Sequence, residues 1–174
     1  MSAHLFLPLV HWLAGLLLIG MATFALLEAK SASLIPKSLF LWPLMGFLFG
    51  LLALASPIAR GSHLSNKIIF ITMGVVMTCS SVQAFLVNIR KISRWPSGTV
   101  WLGFVLLGLA YQIPYPGKNE PTFQTFFRNL SGFLWAAIGI TKVIGEKTVS
   151  QEGRIPPWIL LLYVQALLVA SAPH

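Results

Sequence analysis

Six apolar runs separated by short connections dominate this chain and leave it few ways to fold. They cover Leu5 to Leu27, Leu39 to Ile58, Ile68 to Ile89, Thr99 to Tyr115, Phe123 to Ile144 and Trp158 to Ala172. A helix rises about 1.5 Å per residue and the apolar core of a bilayer is about 30 Å thick, so a spanning helix needs roughly 20 apolar residues. The spacing therefore predicts an all-α integral membrane protein, a compact bundle of about six transmembrane helices. The fourth and sixth runs are short, and four or five spans is the alternative. The connections leave no room for a soluble domain, so residues 1–174 are expected to form one polytopic transmembrane domain. The first run lacks a basic leader and a small-residue cleavage site, and reads as a retained helix.

Composition agrees with this. Hydrophobic residues make up 56% of the chain and charged residues 9%, with a mean hydropathy of +0.81. A soluble domain has about 45–50% apolar and about 25% charged residues. Disorder would need low hydrophobicity and high charge, the opposite of what is present.

The charges are distributed as topology signals. On a six-helix path, one side carries Lys30, Lys37, Arg90, Lys91, Arg94, Lys142, Lys147 and Arg154, and the other Arg60, Lys67, Lys118 and Arg128. The excess of cations predicts which side is cytoplasmic, and places both termini on the non-cytoplasmic side of a plasma, inner or thylakoid-type membrane. Cations between apolar runs suit lipid headgroups, and nucleic acid is not an expected partner. There is no Asp, and the four acids, Glu28, Glu120, Glu146 and Glu152, fall in or next to the expected connections. Proton relays and many cation pumps use intramembrane carboxylates, so this composition argues against them. Trp42, Trp95, Trp101, Trp135 and Trp158 lie mainly near run ends, where an interfacial aromatic belt accounts for them.

Three features could carry function. In the second run, Gly46 and Gly50 have GxxxG spacing and Ala53 continues the face. Small residues let helices approach closely in lipid, either inside a bundle or across a homodimer. The third run is the most polar, with Thr78, Ser81 and Gln83 inside it. Hydroxyls in such a helix hold neighbouring helices together or line a path. In the second case Gln83, Gln112 and Gln165, one from each of three helices, would line a pocket for a neutral polar solute, because an amide both donates and accepts. Third, His11 sits in an apolar stretch with His4 two helical turns before it. A neutral imidazole can ligate haem iron or the magnesium of a chlorophyll-type pigment, which makes His11 and His4 candidate axial ligands.

The stretch Leu9-Val10-His11-Trp12-Leu13-Ala14 resembles the first helix of some four-helix b-type cytochromes. That resemblance implies an axial histidine. No histidine occurs in the other five runs, so a bis-histidine haem between helices is not expected. The end of the connection before the fifth run, with Phe123, Phe126 and Phe127 beside Gln124 and Arg128, reads as a helix lying at the interface before it turns inward.

The sequence contains no CxxC, HExxH, Walker or GxSxG motif, and Cys79 is the lone cysteine. No catalytic residue is assigned. The first expectation is thus a non-catalytic accessory subunit of a larger energy-transducing membrane complex, of photosynthetic or respiratory type. It would pack against other subunits and lipid and hold a pigment or haem. The second is a small transporter, channel or solute-binding component using the polar third run, and the third a lipid- or quinone-modifying membrane enzyme.

Overall fold

The computed structural model describes residues 3–31, 38–60, 64–89, 98–113, 122–147 and 155–171. Among these residues the fold is all-α, with six helices and no strand. They are α1 (Ala3–Ser31), α2 (Ser38–Arg60), α3 (Leu64–Asn88), α4 (Gly103–Tyr111, preceded by a 3-10 turn at Gly98–Leu102), α5 (Thr122–Lys147) and α6 (Pro157–Ala170). Two helices are long and apolar enough to cross a membrane, over Leu9–Lys30 and Lys67–Asn88; Phe40–Ser56, Val100–Tyr111 and Pro157–Ala170 are shorter apolar stretches.

Local chemistry explains the boundaries. Pro157 occupies the first turn of α6, where a missing N–H costs nothing. α2 runs through Pro57 to Arg60, two residues beyond the end of the apolar run at Ile58. The Phe123 region is not a separate interfacial helix: it forms the first turns of α5, where Phe123 and Phe127 pack with ring centroids 4.6 Å apart. Hydroxyls within helices bond back to their own backbone, as Thr23 does to the Ile19 carbonyl and Thr141 to that of Ala137.

Each helix packs against its neighbours in sequence, and α6 returns to α1, so the six form a closed ring of antiparallel pairs. The α1–α6 closure is marked by the hydroxyls of Thr23 and Tyr163, 2.8 Å apart. Glycines set the closest approaches. A methyl built on Gly50 would lie 2.5 Å from Thr78 Oγ1 and 3.1 Å from the Gly74 carbonyl oxygen, and one on Gly108 would lie 2.5 Å from the Gly132 carbonyl oxygen. Such backbone proximity favours van der Waals packing and Cα–H···O contacts between helices.

The centre of the ring is filled by large side chains: Leu18 and Met21 from α1, Phe49 from α2, Met77 from α3, Phe104 from α4 and Trp135 from α5, all within 2% of complete burial. Four of the tryptophans assigned to an interfacial belt turn inward instead. Trp42, Trp101, Trp135 and Trp158 are 4%, 0%, 0% and 5% exposed, whereas Trp12 points outward. Their nearness to run ends reflects the height at which they fill the ring; Trp95 lies outside the described residues.

Candidate functional site

α2 and α3 bring two of the sequence features together. A methyl on Gly46 would lie 2.5 Å from Ser81 Oγ, and one on Gly50 the same distance from Thr78 Oγ1. The small face of α2 and the hydroxyl face of α3 are therefore the two sides of one helix seam, and Ala53, also buried, extends the α2 side. The hydroxyls of Thr78, Ser80 and Ser81 are buried with no hydrogen-bond partner among the described residues.

The three glutamines do not converge. Gln83 accepts a hydrogen bond from Trp101 Nε1 at 2.9 Å, between α3 and the 3-10 turn. Gln112, exposed at the end of α4, donates to the Asn129 carbonyl at 3.3 Å. Gln165, fully buried on α6, donates to Ser131 Oγ at 3.3 Å. Each joins its own pair of neighbours, and the pocket expected from three separate helices is replaced by three separate contacts. His11 is half-buried near the start of α1, between exposed Leu9, Trp12 and Leu13. The side chain of His4 lies outside the described residues. No group of three or more His, Cys, Asp or Glu gathers among the described residues.

The most elaborate polar arrangement is one that the run-by-run reading misses. It lies at the end of the ring where α1, α3 and α5 finish and α2 and α6 begin. Lys142 Nζ on α5 lies over three indole rings, 4.4 Å from the centroid of Trp158, 5.3 Å from Trp42 and 5.4 Å from Trp101. The rings pack on one another with centroids 5.8–6.3 Å apart. Two have their N–H groups fixed, Trp101 by Gln83 and Trp42 by the carboxylate of Glu28. All three distances to Lys142 fall within the roughly 6 Å over which a ring face attracts a cation.

One sequence reading is corrected by this cluster: Glu28, placed in or next to a connection, lies within α1, half-buried. An up-and-down path does place residues 28, 42, 83, 101, 142 and 158 at one end, and that bookkeeping could have found the cluster from sequence. Chemically, the arrangement is an aromatic cage for one ammonium group with a carboxylate at its edge.

Comparison with protein-family models, with curated proteins and with solved structures finds no match to this chain.

Proposed function

We propose that this chain is an integral membrane protein acting as a non-catalytic subunit of a larger membrane complex. The observation that carries the reading is an outer surface as apolar as the interior. Large apolar side chains point outward on every helix, among them Leu16 on α1, Leu48 on α2, Val75 on α3, Leu106 on α4, Phe133 on α5 and Leu167 on α6, each 41–69% exposed. The polar side chains Ser80, Ser81, Gln83, Ser131 and Gln165 are buried. Soluble monomers rarely expose apolar patches beyond a few hundred Å²; lipid or neighbouring subunits would cover this one.

The centre supports the subunit role. It is filled with aromatic and large aliphatic side chains, and buried polar groups on α3, α5 and α6 such as Gln83, Ser131 and Gln165 bond to neighbouring elements, so the outer surface is what remains for recognition. The basic end, which carries the cage, would face the cytoplasm, with both termini on the other side. His11 would be the residue that holds a pigment or haem. A visible absorption band lost in His11→Leu supports that role, and a colourless complex removes it.

Purification from native membranes in mild detergent tests the main reading. Stoichiometric co-elution with larger membrane subunits is expected. A particle containing only this chain refutes it. The unpartnered hydroxyls of Thr78, Ser80 and Ser81 favour transport of a neutral polar solute as the second reading. Solute flux in liposomes, lost on Thr78→Val, would replace the first reading with that one.

A further inference from the structure

We propose that the cage of Trp42, Trp101 and Trp158 is a binding site for a quaternary ammonium group, and that Lys142 is its tethered, displaceable occupant. Recognition of such groups is the best-known functional use of aromatic cages. Three observations carry the assignment.

First, the walls are rigid. The three rings are at least 95% buried, they brace one another, and the N–H groups of Trp42 and Trp101 are fixed by Glu28 and Gln83. An indole N–H donating to a carboxylate pushes electron density toward the ring face, which strengthens attraction for a cation. Second, the occupant can move while the walls cannot. Lys142 is only half-buried and carries its charge on a flexible four-carbon stem, and α5 ends one turn later at Lys147. Such a side chain can swing its ammonium to the headgroup level while its stem stays on apolar surface. Third, the exchange is electrically neutral. Glu28 lies at the edge of the cage with one cation inside it. A quaternary ammonium entering as Lys142 leaves preserves that balance, and such a group is easier to strip of water than a primary ammonium.

The same chemistry could come from a choline-bearing lipid headgroup or from a free solute such as choline, and the experiment separates them. The full chain is reconstituted in phosphatidylglycerol nanodiscs and treated with an amine-acylating reagent, and the modification of each lysine is followed by peptide mass spectrometry. Tetramethylammonium is the probe and sodium at equal ionic strength the control. Tetramethylammonium should accelerate acylation of Lys142 at least about threefold and leave the exposed Lys67 unchanged. An unchanged Lys142 rate at saturating tetramethylammonium overturns the proposal.

In Lys142→Met the competitor is gone, so tetramethylammonium should perturb tryptophan fluorescence at about tenfold lower concentration than in the unaltered chain. Adding Trp158→Leu should abolish the response. A folded Lys142→Met protein that does not respond overturns the assignment, and if that variant does not fold, the acylation result on the unaltered chain decides. Acylation of Lys142 that is faster relative to Lys67 in phosphatidylcholine nanodiscs without added solute identifies the lipid headgroup as the source. Acceleration only by dissolved choline identifies a free solute, and the absence of both effects overturns the site.

Discussion

Trp101 and Trp135 are both fully buried, yet their indole N–H groups meet different fates. Trp101 donates to Gln83 at 2.9 Å, while Trp135 Nε1 has no partner among the described residues. Replacing either by Phe removes similar ring volume. Trp101→Phe also breaks a buried hydrogen bond and strips a partner from Gln83, a cost of about 1–3 kcal/mol. Trp135→Phe removes an unpaired donor, which by itself is favourable. Unfolding in detergent followed by circular dichroism should therefore show Trp101→Phe the less stable variant by about that amount. Equal losses would mean that the Trp101–Gln83 bond contributes nothing. Neither outcome was legible from sequence, because the two residues look alike there and only the facing helix distinguishes them.

Among the elements, the α2–α3 seam and the exposed end of α5 give a graded test of glycine. A methyl on Gly50 would meet backbone atoms, Thr78 N at 3.0 Å and the Gly74 carbonyl oxygen at 3.1 Å, as well as Thr78 Oγ1. Backbone cannot move aside without shifting a helix, and overpacking of this kind costs typically about 1–3 kcal/mol. On Gly46 the nearest atoms are the ends of movable side chains, Ser81 Oγ and Met21 Sδ. At Gly145 nothing lies within 4 Å, and Ala there gains up to about 1 kcal/mol of helix propensity. The expected order of unfolding midpoints is Gly145→Ala above the unaltered chain, then Gly46→Ala, then Gly50→Ala. A Gly50→Ala protein as stable as Gly46→Ala would show that the seam is looser than its geometry. GxxxG spacing marks both glycines alike in sequence, and the difference comes from the helix each one touches.

For the whole molecule, the ring leaves Cys79 on the outer face of α3, between exposed Val75 and Val82. On a soluble protein an exposed thiol would react readily with a charged maleimide. In the proposed orientation the thiol faces hydrocarbon, from which water and a charged reagent are excluded. Intact vesicles should therefore protect Cys79 from a charged maleimide, and the same reagent should label it once the protein is unfolded in denaturant. Rapid labelling by the charged reagent in sealed vesicles would be incompatible with α3 spanning the bilayer.

The sequence by itself placed the helices in order along the chain, and the fold shows six of them among the described residues. Apolar runs and proline or charge punctuation act locally, and a helix satisfies its own backbone whatever surrounds it. It also picked out the small face of α2 and the hydroxyl face of α3, because such side chains keep their helical spacing in any fold, but that the two faces meet came from the packing. What it could not supply was which polar groups meet. Gln83, Gln112 and Gln165 look equivalent along the chain, but each meets a different partner: Trp101, the Asn129 carbonyl and Ser131. Lys142 reads as one more topology signal until three tryptophans from α2, the 3-10 turn and α6 arrive over its ammonium. Such contacts join residues far apart in sequence, and only the rotation and height of each helix in the ring decides them.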